Sequence, residues 1–452
     1  MDSINFSKKY YLLLLIIILV LSVLLRLFSL HPTFSDENVY YTMGKYVLLG
    51  KIPYKEFNFV HPPFQIYALA FLFKIFGVSL FSAKILALLA SSLSVYLIFL
   101  ISKKLFGDKV AIVSSLFFLL TTAFLAFSDQ GYGMWESSFF VLLSFYFILK
   151  KKIELSAFVF SIAIFFRYLS LIYLPFLIIF IYLNNKKKTI RFLLTTILIS
   201  FLILLLMFLI FGYEFIDDTI MFQFFARFTS YLPKQYFQYL SIGFFELFLG
   251  LLSGVIGYIK KDKILMLLSF YPLIINIAIF VVFKTIIYHY FLLSVPFLII
   301  AVSKAFFAFE DKIVKAFILI VIILSIANNF TTIDFYINPK NSENIYYIAD
   351  YIQNMTSKAD NIFGESSIVD YISLTTNIQV TSSYLDSYLS YLIYKSEEKV
   401  INNLEKQKPK FIIDMEGYYI SNPYFRNYLQ SKYTLKKTVD GIPTYFIYER
   451  SV

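Results

Sequence analysis

Tyr11-Leu-Leu-Leu-Leu-Ile-Ile-Ile-Leu-Val-Leu-Ser-Val-Leu-Leu-Arg-Leu-Phe-Ser-Leu30 is nearly unbroken hydrocarbon and long enough to cross a bilayer core. Lys8 and Lys9 precede it, and His31-Pro-Thr-Phe-Ser-Asp36-Glu37 follows at once. The apolar run exceeds that of a signal peptide and no small-residue cleavage site follows it, so it reads as a retained membrane helix. Carboxylates held this close to lipid are costly unless water reaches them or something uses them. An acidic pair on the outer rim of the first span therefore points to acid/base chemistry or metal binding at the membrane surface. The same acids also suit the start of a helix, and the two readings are compatible, because a helix start fixes a carboxylate's direction.

The rest of the chain has the same character. Of 452 residues, 59% are hydrophobic and only 15% charged, more apolar surface than a soluble core needs, so the class is integral membrane. The net charge of +11 comes from lysines clustered between apolar runs. They read as topology signals rather than a phosphate-tracking stripe, and nucleic acid is excluded as a partner. Cysteine is absent, which removes disulfides, thiolate metal sites and cysteine nucleophiles.

Two kinds of loop alternate along the chain. Lys103 to Lys109, Lys150 to Lys152, Lys186 to Lys188, Lys260 to Lys263 and Lys304 to Lys315 are short and basic. His31 to Phe64, Phe127 to Glu136, Gly212 to Tyr236 and everything after Asn328 are acidic, aromatic or long. With the basic set in the cytoplasm, about eleven spans result, with the N-terminus inside and the C-terminus outside. They fall near 11–30, 79–101, 110–127, 135–149, 154–167, 168–183, 190–212, 237–259, 264–283, 286–303 and 314–328. Phe64 to Phe76 is too short to cross and is expected to lie along the outer face, ended by Gly77. Charged residues inside the spans read as few, apart from Arg26 and Arg167 near span ends.

The composition turns polar near Asn329. Strand-like runs at Phe411-Ile412-Ile413 and Thr444 to Tyr448 alternate with helix-like Ser342 to Met355 and Ser396 to Gln407. The expected organisation is a transmembrane domain over 1–328, with outer loops 31–78, 127–136 and 212–236, and an extracytoplasmic soluble α/β domain over 329–452. Two N-glycosylation sequons, beginning at Asn329 and Asn354, fall on that outer side. The chain is expected in the plasma membrane.

The residues suited to chemistry lie in the outer loops. Asp36 and Glu37 come first. His61 sits in Asn58-Phe-Val-His-Pro-Pro-Phe64, where the prolines hold the chain extended. Asp129 and Glu136 flank the only Trp, and Glu136 stands at the outer mouth of a span. Glu214, Asp217, Asp218 and Arg227 lie in a long aromatic loop suited to a lid or an anionic ligand. Arg227, Lys284 and His289 are the candidates to hold a phosphate. There is no P-loop, no His-Glu-x-x-His and no dinucleotide-binding glycine pattern.

Asp36-Glu37-x-x-Tyr40, Gly50-x-x-Pro53-Tyr54, His61-Pro62-Pro63, Phe76-Gly77, Leu105-Phe106-Gly107, Glu136 at a span start and Tyr288-His289-Tyr290 before Pro296 occur in this order. In their order and loop placement they resemble the GT-C glycosyltransferase superfamily, especially its protein O-mannosyltransferase and aminoarabinose-transferase-like branch. The resemblance covers most of Asp36 to Ile300. It implies a polytopic α-helical GT-C fold with an extracytoplasmic α/β domain, and inverting transfer of a monosaccharide from a polyprenyl- or dolichyl-phosphate sugar to an acceptor hydroxyl. It further implies Asp36 as general base, Glu37 as an orienting group and Glu136 as the second outer acid. His61, Lys284 and His289 would meet the donor phosphate. A divalent metal, Mg or Mn, is a candidate cofactor, with Asp36, Glu136 and His61 as its candidate ligands. The acceptor would be a protein, lipid or glycan among membrane lipids.

Two other classes compete with the transferase. A lipid-linked glycan transporter or flippase would want acids at mid-span for coupling ions. A non-catalytic envelope-assembly subunit would carry the same loops with a degenerate site.

Overall fold

The computed structural model describes residues 8–27, 32, 36–224, 233–282, 288–308, 312–337, 342–357, 359–376, 378–381, 398, 400–417, 419, 423–441 and 444–451. Helices dominate. In chain order they are α1 (Lys8–Leu27), α2 (Glu37–Leu48), α3 (Phe64–Phe76), α4 (Leu80–Phe106), α5 (Asp108–Leu119), α6 (Thr122–Phe127), α7 (Met134–Leu149) and α8 (Ile153–Phe166). A 3-10 turn at Tyr168–Tyr173 leads into α9 (Leu174–Asn184), followed by α10 (Lys186–Phe211) and α11 (Tyr213–Ile216), which passes into a π-helical turn at Asp217–Met221. Then come α12 (Pro233–Ile259), α13 (Lys263–Val282), a 3-10 turn at Tyr288–Leu293, α14 (Val295–Ala308) and α15 (Lys312–Ile337). The remaining elements are α16 (Glu343–Met355), β1 (Asn361–Gly364), α17 (Ser366–Thr375), β2 (Gln379–Val380), β3 (Phe411–Met415), α18 (Pro423–Lys432), β4 (Tyr433–Val439) and β5 (Tyr445–Arg450).

Among the described residues, α4, α10 and α13 are long and apolar enough to cross a membrane. Shorter apolar helices accompany them, among them α7, α8, α14 and Gly243–Ile259 within α12. The hairpin expected at 154–167 and 168–183 is interrupted at Arg167, whose extended backbone (φ −152°, ψ 124°) ends α8 before the 3-10 turn. The apolar run Phe64 to Phe76 is helical over that stretch, and Gly77 closes it with its N–H on the Phe73 carbonyl at 2.9 Å.

The chain divides into two units. The first comprises Met1–Ser29, Ile85–Met207 and Arg227–Ile337, and the second Leu30–Lys84, Phe208–Ala226 and Asn338–Val452. In the first, α7 and α8 form a hairpin pinned by reciprocal Ser144–Ser156 hydrogen bonds, which satisfy two hydroxyls between apolar faces.

In the second unit five strands form one sheet in the order β2-β1-β3-β5-β4. β1 runs parallel to both β2 and β3, whereas β3-β5-β4 is antiparallel. Ile345, Ile348 and Ile352 of α16 and Ile368 and Ile372 of α17 pack with Ile362, Ile413 and Ile447 of the sheet into one apolar core. The sequence supplies the helix side of this core by placing isoleucines three and four residues apart.

Candidate active site

Asp36 and α2 organise the second unit's share of the candidate residues. Asp36 takes helical backbone angles at the head of α2 and makes no side-chain cap bond. Its carboxylate is therefore not spent on capping, and the helix that starts here holds it at the N-terminal end, which favours negative charge.

Two faces of α2 are tied down. On one, Glu37 is fully buried. Its Oε1 lies 3.1 Å from Lys84 Nζ, and its Oε2 accepts from the Tyr41 hydroxyl at 2.8 Å. Tyr41 is one turn along the same helix, and Lys84 comes from the second turn of α4. On the other, Asn38, Thr42 and Lys45 point at α17. Asn38 Nδ2 donates to the Ser367 carbonyl and the Thr42 hydroxyl to that of Asp370, both at 2.8 Å. Lys45 donates to the Ser373 carbonyl and, at 2.7 Å, to Thr376. This ammonium closes the C-terminal end of α17, where carbonyls lack helical partners. Burial pushes the Lys45 pKa down from its ordinary 10.5.

His61 is held on the side of α2 that carries Asp36. Its Nε2 is 3.1 Å from the hydroxyl of Tyr40, one turn beyond Asp36. Its Nδ1 is 3.4 Å from the Gln223 amide nitrogen, which donates to the Val60 carbonyl at 2.7 Å. Tyr54, in a left-handed conformation at φ 68°, donates to the His61 carbonyl at 2.7 Å. The Tyr40 hydroxyl and the Gln223 amide thus face opposite ring nitrogens and hold the imidazole in place.

Asp218 is buried in the π-helical turn and accepts from the Asn58 amide at 3.3 Å and the Phe59 N–H at 3.3 Å. It braces the loop that carries His61.

The first unit holds the remaining described candidates. Gly133 adopts a left-handed conformation (φ 74°) that turns the chain into α7 and places Glu136 in its first turn. Glu136 is 2% exposed, and neither carboxylate oxygen has a hydrogen-bond partner among the described residues. Arg167, also buried, acts on it electrostatically. Trp135 donates to the Phe127 carbonyl and packs edge-on to Phe118 and Phe124. Asp129 is buried in the same segment, and His289 stacks on Tyr132 with ring centroids 4.6 Å apart. Arg227 and Lys284 lie outside the described residues, as does His31.

Several polar residues were not legible as site material. Lys84, Gln223 and Glu365 each complete a contact whose partner is distant in sequence. Glu246 is a further buried acid of this kind. It lies inside α12, is 1% exposed and accepts from the Ser325 hydroxyl at 3.2 Å. Among the described residues no three His, Cys, Asp or Glu side chains gather as a metal site.

Residues 60–213 match the model of the dolichyl-phosphate-mannose-protein mannosyltransferase family. No curated protein sequence matches the chain. Solved structures do. ArnT from Cupriavidus metallidurans bound to undecaprenyl phosphate superposes with a TM-score of 0.65 at 11% identity, covering 98% of this chain and 98% of that one. The Archaeoglobus fulgidus oligosaccharyltransferase in complex with Zn and sulfate gives 0.59 at 12% identity, over 97% of this chain and 73% of that one. The oligosaccharyltransferase AglB from the same organism, with an inhibitory peptide and a dolichol-phosphate, gives 0.56 at 12%, over 99% and 75%. The chain thus shares its fold with ArnT and the archaeal oligosaccharyltransferase, both GT-C glycosyltransferases, the superfamily its outer-loop motifs resemble.

Proposed function

We propose that this chain is a membrane glycosyltransferase that moves a monosaccharide, with inversion, from a polyprenyl-phosphate sugar to an acceptor hydroxyl on the extracytoplasmic face. The observation that carries the reading is end-to-end similarity in fold to a protein bound to undecaprenyl phosphate, combined with Asp36 at the head of a helix anchored on two faces. A site of this kind suits a lipid-linked donor, because water-soluble nucleotide sugars are largely cytoplasmic.

In the reaction Asp36 takes the proton of the acceptor hydroxyl as that oxygen attacks the anomeric carbon. The bond from that carbon to the phosphate oxygen breaks on the opposite face, and polyprenyl phosphate leaves with the electron pair. One base opposite a competent leaving group suffices for inversion. Cationic and hydrogen-bond contacts stabilise the charge gained by the departing phosphate, the role assigned to His61, Arg227, Lys284 and His289.

Glu37, sealed by Lys84 and Tyr41, orients α2 and so the base. Glu136 is the second outer acid. The proposed placement is the plasma membrane, with about eleven spans, a cytoplasmic N-terminus and an extracytoplasmic α/β domain over 329–452.

The test is transfer of label from a polyprenyl-phosphate sugar by the purified chain, with Asp36→Asn alongside. A donor bound but never transferred by the wild-type chain would favour a carrier or an assembly subunit.

A further inference from the structure

α2 and α17 lie side by side in a register that the hydrogen bonds fix. Asn38 bonds to residue 367, Thr42 to 370, and Lys45 to 373 and 376. Both series ascend, so the helices run parallel and their N-terminal ends fall at the same level. Asp36 stands two residues before Asn38, and Glu365 two before Ser367. The heads of the two helices are thus Asp36 and Glu365, one from the first outer loop and one from the C-terminal segment.

Glu365 is placed with little freedom. β1 ends at Gly364, where φ is 141° and a Cβ would run into the backbone of Ile413. The Glu365 N–H then donates to the Ile413 carbonyl at 2.9 Å, and α17 starts. Its Oε2 accepts from the Ile368 N–H at 3.2 Å and from the Ser367 hydroxyl. The side chain is 7% exposed, and Asp36 is a charged neighbour that acts on it.

We infer that Glu365 is a positioning residue for Asp36, its carboxylate standing beside that of the base and turning it toward the acceptor. The inference rests on the transferase reading above. Like-charged oxygens repel at short range, so the Asp36 carboxylate is directed away from Glu365, into the space before the head of α2. The paired helix N-termini offset the cost of bringing two acids together. A neutral amide in place of Glu365 would instead donate a hydrogen bond to Asp36 and hold the base away from its proton. The C-terminal segment is by this account part of the catalytic constellation.

Glu365→Gln and Glu365→Asp separate positioning from capping, because Gln keeps the oxygen that caps α17 and loses the charge, whereas Asp keeps both. In the donor-transfer assay we expect kcat of Glu365→Gln to fall about tenfold or more, short of the roughly 10²–10⁴-fold loss of a disabled general base. Its KM for the donor should stay near wild type and its unfolding midpoint should not fall. Glu365→Asp should recover most of kcat. An undiminished kcat in Glu365→Gln would overturn the inference, as would equal losses in both variants with a lowered midpoint. A wild-type chain that transfers nothing would remove the transferase reading and this inference together, whereas an active wild type with an undiminished Glu365→Gln would remove this inference alone.

Discussion

Glu37 and Lys84, 47 residues apart in the chain, meet as an ion pair at 3.1 Å with both side chains at 0% exposure. A pair this deeply buried gains little net stability, but removing one partner strands the other in an apolar setting. Lys84→Met should therefore destabilise the protein by about 3–5 kcal/mol, whereas Lys84→Met combined with Glu37→Leu should recover much of that loss. Unfolding midpoints in detergent check this. Equal losses in the single and double variants would mean that the pair is not what anchors α2.

The other face of α2 answers to a second test. Lys45→Met leaves the Ser373 and Thr376 carbonyls at the end of α17 without their donor, and Thr42→Val removes the bond to Asp370. A lost bond with a buried acceptor costs about 1–3 kcal/mol. Because both residues serve one interface, the double variant should lose less or more than the sum of the singles. Strict additivity in a thermal-shift cycle would argue against a shared clamp.

Glu365 makes a prediction about pH. Burial, with Asp36 as a lesser cause, raises its pKa above the ordinary 4.5. A carboxyl raised on folding contributes stability that is full below its unfolded value, and that is lost as pH rises through the folded value. Glu365→Gln should flatten this decline, so the variant gains on wild type as pH rises above 4.5. Midpoints across that window provide the check, and parallel profiles for the two proteins would refute the assignment.

Trp135 is the only tryptophan and is fully buried next to Glu136. Its emission should be that of an apolar site, shielded from acrylamide until the protein unfolds. Glu136→Gln keeps the shape of the side chain, so the emission maximum should hold while transfer falls about tenfold or more. A red-shifted variant would mean that Glu136 serves the fold instead.

Much of this was legible in the sequence, and what was hidden has a common cause. Phe64 to Phe76 reads as a helix because its apolar residues run without a breaker up to Gly77. Phe411-Ile412-Ile413 reads as a buried strand because a short β-branched run flanked by polar residues suits a sheet interior. Asp36, His61 and Glu136 stood out as polar residues against apolar neighbours. Their partners did not, because Lys84 looks like any lysine near a span end and Glu365 like any acid in a polar segment. Only tertiary pairing, across 47 residues for Lys84 and across 329 for the Asn38–Ser367 contact, gives them a role. Glu246 was passed over because one acid barely lowers the mean hydropathy of a long apolar run, while its burial depends on the neighbouring Ser325. The 3-10 turn at Tyr168–Tyr173 was not legible, because it follows from the break at Arg167, which hydropathy does not register.

The most direct test of the central claim is sugar transfer by the purified chain in detergent. Radiolabelled polyprenyl-phosphate mannose or glucose would be supplied with mixed membrane acceptors, comparing wild type with Asp36→Asn. The account predicts donor-dependent labelling of the acceptor by wild type, reduced at least about a hundredfold in the variant while donor binding persists. Labelling undiminished in Asp36→Asn would contradict it by removing Asp36 as the base, and donor binding without transfer by wild type would remove the transferase itself.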